Sequence, residues 1–306
     1  MPVFLSGLFL FLLGLEGVKK GLQQLTATRI RSILASFTEN IYLCIGVGIF
    51  VTGILQSSSA VSIIIIGLLE AKIIDFKPAF AIMMGANIGT TLTVQIISLP
   101  VLTTYPYLLG CGIFFMLTGL IRKKLFWSGL VLLGFGIVFG SLQMMISVFM
   151  KPDLKDIIYF LLKFCTNNVL YGIMLGIIVT AIIQSSSAVT GITVSLARKN
   201  LITLPVAIAI ALGSNIGTCI TAFLASINGG TNARALALGH FLFNVIGIIL
   251  IFPLLPLFIN FIMFTDDLLP RQIANAHTTF NIFNLIIFIP LTDTFVSILR
   301  RRKWRK

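Results

Sequence analysis

Two copies of a polar hexapeptide contain the residues of this chain that are best suited to chemistry. Residues 56–61 read Gln-Ser-Ser-Ser-Ala-Val, and residues 184–189 repeat that sequence after an offset of 128 positions. Serine hydroxyls can donate to an anion or offer their oxygen to a cation, and a glutamine amide has both functions. Polar groups are expensive at membrane depth and are kept there mainly for function. The hexapeptides therefore predict a site for small ions.

Each hexapeptide is followed at the same distance by a second shared block. Residues 85–90 read Gly-Ala-Asn-Ile-Gly-Thr and residues 213–218 read Gly-Ser-Asn-Ile-Gly-Thr, again 128 positions apart. About half of the positions from 48 to 98 are identical to their counterparts from 176 to 226, which indicates a duplicated unit. A duplicated membrane chain with paired polar interruptions is typical of a secondary transporter.

The composition is that of a polytopic membrane protein. Hydrophobic residues make up 58% of the 306 positions and charged residues only 10%, against about 25% in soluble domains. Residues 1–15 are expected to be a retained first span, because they lack a basic n-region and a clear cleavage site. The net charge of +13 indicates membrane topology rather than nucleic-acid binding, because the basic residues cluster in short loops.

We expect an all-α membrane protein built as an inverted-topology repeat, with two re-entrant hairpins and two broken transmembrane helices. The hairpins are predicted at about 41–69 and 165–197, because arms of about 13 to 15 residues around a polar tip are too short to cross as helices. A straight helix with an inward serine stripe is the alternative, but three consecutive serines cannot face one side of a helix. The glycine–asparagine blocks predict helix breaks at about 79–99 and 204–227, with amides freed to bind a ligand.

The predicted units are a first inverted repeat at 1–124, a second at 125–258, and an extra transmembrane helix with a basic tail at 259–306. Following the crossings, 16 of the 22 Lys and Arg residues fall on one side of the membrane and six on the other. The basic side is the cytoplasmic side. The sequence thus predicts a cytoplasmic C-terminus, a first hairpin that enters from the cytoplasm and a second that enters from outside.

A third pattern contains the only two histidines, His240 and His277. Residues 234–244 and 271–281 both read Arg-x-x-Ala-x-x-His-x-x-Phe-Asn. His and Asn four positions apart share a helix face. They could bind the transported ion, relay protons or bond to a neighbouring helix, and we favour bonding between helices.

The predicted spans contain almost no charge, because the acidic residues lie at loops or helix ends. With no inward Lys or Arg to neutralise a multivalent anion, helix dipoles and bound Na⁺ must do so. Anion binding would then depend on the cation. The chain contains no metalloprotease, nucleophile-elbow or phosphate-loop motif, so we expect a protein that is not an enzyme and that uses no cofactor beyond a coupling ion.

The Gln-Ser-Ser-Ser segments, the Asn-Ile-Gly-Thr blocks and the Ala-x-x-His-x-x-Phe-Asn helices resemble the type II sodium/phosphate cotransporter family over essentially the whole chain. The resemblance implies Na⁺-driven import of inorganic phosphate. Because no PhoU-like domain precedes the last residue, Lys306, the chain is similar to compact bacterial members, which implies the plasma membrane. The implied partners are phosphate, sodium ions and the lipid bilayer, and a homodimer is left open.

The resemblance also implies the site residues. Phosphate contacts are expected in the serine triplets and the Asn-Ile-Gly-Thr blocks, at Ser57, Ser58, Ser59, Ser185, Ser186, Ser187, Asn87, Thr90, Asn215 and Thr218. Sodium contacts are expected at the two glutamines and at paired hydroxyls, namely Gln56, Gln184, Ser62, Thr190, Thr93 and Thr221. No metal other than sodium is expected. Two alternatives stay open: a transporter of the same architecture for another small oxyanion or carboxylate, and a non-transporting scaffold whose serines only pack helices.

Overall fold

A computed structural model describes residues 2–36, 40–100, 102–149 and 152–301, and these residues are all helical or in short connections. The α-helices are α1 Pro2–Ser36, α2 Ile41–Leu55, α3 Ser58–Glu70, α4 Phe76–Ser98, α5 Tyr105–Thr118, α6 Lys123–Phe149, α7 Pro152–Asn167, α8 Val169–Ile183, α9 Ser186–Ala197, α10 Leu204–Ser226, α11 Thr231–Ile251, α12 Leu255–Met263 and α13 Leu269–Arg301. Two 3₁₀ turns lie at Leu102–Thr104 and Phe252–Leu254. The predicted all-α class is confirmed.

Length and surface both indicate a membrane protein. Five apolar helical stretches among the described residues are long enough to cross a bilayer, with Thr231–Met263 counted as one. Large apolar side chains are also exposed on the outside of the bundle, among them Tyr107, Ile121 and Phe264. Such a surface suits lipid rather than water. Most of the predicted basic tail, from residue 302 onward, lies outside the described residues.

The Gln-Ser-Ser-Ser segments interrupt their helices, as predicted. Gln56 and Ser57 separate α2 from α3, and Gln184 and Ser185 separate α8 from α9. Each glutamine adopts the left-handed backbone conformation, with φ of 52° at Gln56 and 58° at Gln184, which ends the first arm. Each following serine hydroxyl accepts the amide three residues later and caps the second arm. The same local sequence therefore forms the same helix–turn–helix twice.

The glycine–asparagine blocks do not break their helices, and that prediction was wrong. α4 and α10 are each continuous over 23 residues. Their glycines serve close packing instead, because a Cβ on Gly85 would overlap the carbonyl group of Ile45, and one on Gly213 would overlap that of Ile173. Since the helical hydrogen bonds persist through the block, its backbone amides are not freed for a ligand.

The register of these contacts shows that each hairpin reverses the chain. Ile45 lies against Gly85 and Ile49 against Gly89, so residue numbers rise together and α2 runs parallel to α4. If α2 and α3 formed one crossing helix, that helix would run antiparallel to α4. The chain therefore turns back after α2. The contacts of α8 with α10 repeat the same register 128 positions later.

The two hairpin bases lie at opposite ends of the bundle. Glu70, at the end of α3, accepts a hydrogen bond from the amide of Gly230, which follows α10. Arg198, which follows α9, donates to the carbonyl of Leu99, which follows α4. Since α4 begins beside the base of the first hairpin and ends beside the base of the second, we name these the Glu70 end and the Arg198 end. An inverted repeat requires this arrangement, and its placement across a bilayer stays a prediction.

The helices form two bodies of unequal size. α1 and α5 both pack along α6, with close approaches at Gly14 against Gly134 and at Gly112 against Leu133. This three-helix body contacts the rest chiefly through α2 and α9. The larger body contains both hairpins together with α4, α10, α11 and α13 and holds most of the buried apolar residues.

Candidate ion-binding site

One cavity of about 1030 Å³ brings the two hairpin tips together. Ser57 and Ser59 of the first tip line it, and so do Gln184 and Ser185 of the second. Thr221 of α10 contributes a further hydroxyl beside the tips. α1 forms the opposite wall, and the cavity continues from the tips to the Glu70 end. Residues of both Gln-Ser-Ser-Ser segments therefore line the same cavity.

The remaining serines of the triplets lie behind this wall. Ser58, Ser186 and Ser187 are buried within the first turns of α3 and α9. A triplet that begins a helix points its side chains in different directions, so only part of each triplet can face one cavity.

Helix ends of both polarities meet at each tip. α3 and α9 begin there, and the first amides of a helix lack an intrahelical acceptor and attract anions. α2 and α8 end there, and terminal carbonyl groups attract cations. The tips can thus bind an anion and a cation side by side without a charged side chain.

The two tip glutamines have different surroundings. Gln56 is buried, its Oε1 accepts the Thr93 hydroxyl and its Nε2 donates to the backbone carbonyl of Gly53. Gln184 is exposed on the cavity wall. Thr221, the counterpart of Thr93, donates instead to a carbonyl of its own helix at 2.9 Å. This glutamine–threonine pair is therefore bonded together in the first half, whereas both of its members line the cavity in the second.

Several hydroxyls near the tips are buried and have no hydrogen-bond partner among the described residues. Thr190 is one of them. Its counterpart Ser62 is also buried but is not one of these unpartnered hydroxyls. Thr52 and Thr180, one turn before each tip glutamine, are two more. Sequence reasoning missed this pair, although the offset of 128 positions relates them. Leaving a buried hydroxyl unpaired costs about 1–3 kcal/mol, and a hard cation would satisfy it.

The asparagines of the second shared block are held by the two histidines. Nε2 of His240 lies 2.9 Å from Oδ1 of Asn87, and Nε2 of His277 lies 2.9 Å from Oδ1 of Asn215. Nδ2 of Asn87 also donates to Oδ1 of Asn244 at 3.0 Å. All five side chains are buried and none lines the cavity. The favoured bonding between helices is thereby confirmed, with α11 bound to α4 and α13 bound to α10.

The threonines of that block are also engaged locally. The hydroxyl of Thr90 donates to the carbonyl of Ala86, and that of Thr218 to the carbonyl of Ser214, each at 2.9 Å. The structure therefore brings the serine tips to the cavity and keeps the Asn-Ile-Gly-Thr side chains within the helix packing.

Charged side chains line the cavity only away from the tips. Glu16 and Lys19 of α1 form an ion pair at 3.6 Å, and Glu70 lies at the open end. Sequence reasoning missed Glu70 as a lining residue. The available signal was its register, because Glu70 and Arg198 are 128 positions apart and end the two hairpins.

Comparisons with known proteins agree with the duplicated architecture. The family model described as Na⁺/Pi-cotransporter matches residues 10–147 and again residues 150–289. The uncharacterized protein YqeW of Bacillus subtilis (strain 168) is 35% identical over 257 residues, which cover 82% of this chain and 81% of that protein. No solved structure matches this chain.

Two further relatives have names that describe transport. The putative inorganic phosphate export protein YjbB of Escherichia coli (strain K12) is 27% identical over 249 residues, 81% of this chain but 46% of that protein. This chain thus spans about half the length of that relative. The sodium-dependent phosphate transport protein 2B of Homo sapiens is 36% identical over 93 residues, 28% of this chain and 14% of that protein.

The family matches cover nearly the whole chain and include both hairpins, α4, α10, α11 and most of α13. The family is one of transporters and not of enzymes. On this basis, the chain is a member of the Na⁺/Pi-cotransporter family.

Proposed function

We propose that this protein is a sodium-coupled symporter that imports inorganic phosphate across the plasma membrane by alternating access. The observation that carries the proposal is the open cavity that residues of both serine-rich tips line. Membership of a Na⁺/Pi-cotransporter family supports phosphate and sodium as its substrates.

Phosphate binds at the tips, where α3 and α9 begin. The hydroxyls of Ser57, Ser59 and Ser185 and the first amides of the two helices are donors that suit its oxygens. The cationic side chain on the cavity wall, Lys19, is paired with Glu16. The charge of a bound phosphate is therefore compensated chiefly by helix dipoles and by bound Na⁺.

Sodium binds beside the phosphate, at oxygens that lack a partner or face the cavity. Gln184 and Thr221 face it, and the unpaired hydroxyls of Thr180 and Thr190 lie in the same hairpin. The carbonyl end of α8 adds negative potential. Because the cation neutralises the site, Na⁺ raises the affinity for phosphate, and phosphate raises the affinity for Na⁺ equally.

The cavity is open at the Glu70 end, which the charge distribution predicts to be cytoplasmic. Alternating access exchanges this state for one that is open at the Arg198 end. α11 and α13 move with the hairpins, because His240 and His277 bind them to α4 and α10. The moving boundary then lies against α1 and α6 of the three-helix body, where contacts are few.

Phosphate export is the second candidate, favoured by the name of the Escherichia coli relative and by a cavity that opens at the predicted cytoplasmic end. A symporter follows the imposed Na⁺ gradient in either direction. An exporter driven otherwise would not respond to that gradient.

Uptake of radiolabelled phosphate by proteoliposomes tests the proposal. An inward Na⁺ gradient should drive accumulation, and an equal K⁺ gradient should not. Ser59→Ala should lower phosphate affinity roughly ten- to a hundred-fold through loss of a donor. Ser297→Ala, an exposed serine of α13, is the control and should behave as the parent.

The alternatives give different results in the same vesicles. Stronger uptake of sulfate or of a small dicarboxylate than of phosphate would support another anion as cargo. A scaffold would show no uptake, and its thermal stability would not respond to phosphate in either salt. Equal phosphate accumulation in Na⁺ and K⁺ would rule out sodium coupling.

A further inference from the structure

A second polar cavity, of about 470 Å³, lies at the Arg198 end. Arg198 and Lys199 at the base of the second hairpin line it, together with Ser98 of α4, Gln143 of α6 and Asp267 before α13. It shares no lining residue with the cavity at the tips. α6 borders this cavity as α1 borders the other, so the two cavities occupy corresponding places at the two ends.

Arg198 is held in this cavity by backbone carbonyl groups. Its Nη2 donates to Ile97 at 3.1 Å and to Leu99 at 2.7 Å, at the carboxyl end of α4. Its Nε is buried and has no hydrogen-bond partner within the described ranges. Burial lowers the pKa of the Arg198 guanidinium, but an arginine keeps its charge at neutral pH.

The neighbouring Arg271 shows what a structural arginine looks like at this end. It donates to Gln95 and Ser98 and lies 3.5 Å from the carboxylate of Asp266. Arg198 forms no such ion pair in the part of the chain that the structure describes. Among the described residues, its hydrogen-bond partners are therefore carbonyl groups, and a stronger acceptor can replace them.

The corresponding position at the other end has the opposite charge. Glu70, the counterpart of Arg198, accepts the amides of Gly230 and Ala233 at 2.6 and 3.2 Å. The Glu70-end cavity is lined by two carboxylates and one lysine, and the Arg198-end cavity by an arginine, a lysine and one carboxylate. The charged side chains that line the cavities thus favour an anion at the Arg198-end cavity more than at the mouth of the other.

We infer that the Arg198-end cavity is a phosphate-recruiting vestibule, in which Arg198 and Lys199 bind the anion before it reaches the serine tips. The inference rests on the proposed function. A cleft of one charge sign raises the local concentration of its counter-ion. When this end opens, the guanidinium exchanges the carbonyls of Ile97 and Leu99 for phosphate oxygens, which it can bind through two parallel N–H groups.

Phosphate uptake by intact cells that express the full chain tests this inference, because external phosphate then reaches one face only. At fixed Na⁺ and low ionic strength, Arg198→Gln should raise the KM for phosphate roughly ten-fold and leave the maximal rate near that of the parent. High choline chloride should reduce that difference to less than about three-fold through screening. Arg198→Lys should restore part of the affinity, since lysine keeps the positive charge but lacks the paired N–H donors of the guanidinium.

Arg234→Gln is the matched control. Arg234 donates to the carbonyl of Ile227 at 3.3 Å, which is the counterpart of Leu99 at the end of α10, but it does not line either cavity. Its loss removes a comparable helix-end contact and should leave the KM unchanged. If KM changed equally in Arg198→Gln and Arg234→Gln, Arg198 would act only in packing. A change of KM in Arg198→Gln that did not depend on ionic strength would show the same.

Lys199→Gln provides an independent test, because Lys199 is exposed and its replacement disturbs no buried contact. We expect a salt-dependent rise in KM of roughly two- to three-fold. An unchanged KM at low ionic strength overturns the vestibule even if Arg198→Gln fails to fold. If the parent takes up no phosphate, the proposed function fails and the vestibule falls with it. If the parent transports and both variants match it, only the vestibule is lost.

Discussion

The two hairpin tips have one sequence and one backbone but two environments. Both glutamines are left-handed, and both following serines cap a helix. Gln56 is nevertheless buried against Thr93, while Gln184 is exposed in the cavity and Thr221 bonds within its own helix. Since the tip residues are the same, the difference comes from the packing around each tip rather than from the tip residues themselves.

A duplicated sequence can therefore form a site whose two halves have different contacts. The cavity reaches the Glu70 end along α3 and the second half of α10, whereas the matching half of α4 is covered by α9 and α13. In a state open at the Arg198 end, we expect Gln184 to pair with Thr221 and Gln56 to face the cavity. Matched substitutions in the two halves should separate the contacts that both halves share from those that depend on which end of the cavity is open.

The largest effect should come from the glycine contacts, which both halves share. A Cβ on Gly48 would overlap the carbonyl group of Ile82, and one on Gly176 that of Ile210. Gly48→Ala and Gly176→Ala should each cost about 2–3 kcal/mol of stability through overpacking. Gly46→Ala is the control, because nothing lies within 4 Å of its added Cβ. Thermal unfolding in detergent measures the effect, and equal stability of the two α2 variants would contradict the packing.

The next change should separate the halves. Thr93→Val leaves the buried Oε1 of Gln56 without its hydroxyl donor, which should cost about 1–3 kcal/mol. Thr221→Val removes a hydrogen bond from the hydroxyl to a carbonyl of its own helix. That carbonyl keeps its backbone partner within the helix, so the change should cost less than about 0.5 kcal/mol. Unfolding without Na⁺ or phosphate is the measurement. Equal losses would mean that the two tips are alike in solution.

Labelling at the tips should report the open end directly. Ser59 lines the cavity and its counterpart Ser187 is buried. In detergent solution and in a background without the four native cysteines, Ser59→Cys should react with a water-soluble thiol reagent roughly ten-fold faster than Ser187→Cys. Saturating Na⁺ and phosphate should slow the reaction at Ser59→Cys. Faster labelling of Ser187→Cys would place the resting protein in the opposite state.

The loss of the helix caps should again have the same effect in both halves, and a smaller one than the glycine substitutions. Ser57 and Ser185 accept the amides of Ala60 and Ala188 at 3.2 and 3.3 Å. Ser57→Ala and Ser185→Ala should each cost about 1 kcal/mol in the absence of substrate, because each removes one helix cap. A loss confined to one tip would show that the capping bond depends on the state of the cavity.

The hairpins could be predicted from the sequence because their signal is local. Gln-Ser-Ser-Ser combines residues that favour caps and turns with flanking arms that are too short to cross a membrane. The arms were placed within a few residues, although the second hairpin begins at Val169 because residues 152–167 form the separate helix α7. The pairing of His240 and His277 with other helices was also foreseen, but their asparagine partners were assigned to phosphate instead.

The glycine–asparagine blocks show why the rest could not be predicted. A glycine lacks a Cβ whether it breaks a helix or lets another backbone approach, so Gly85 and Gly213 have the same sequence signature in both cases. Only the carbonyl groups of Ile45 and Ile173, which lie against these glycines, show that they serve close packing. The partners of Asn87 and Asn215 likewise depend on the packing of α11 and α13, which no local pattern contains.

By itself, the sequence determined the all-α membrane class, the duplication, the two reversals of the chain and the serine-rich tips, because these follow from composition, repeats and local backbone preferences. The tertiary structure alone decided which tip residues face the cavity, which end is open, and which backbone groups Glu70 and Arg198 bind. Those properties depend on contacts between helices far apart in the chain. The two hexapeptides are identical, so the different surroundings of their side chains must come from the helices packed around them.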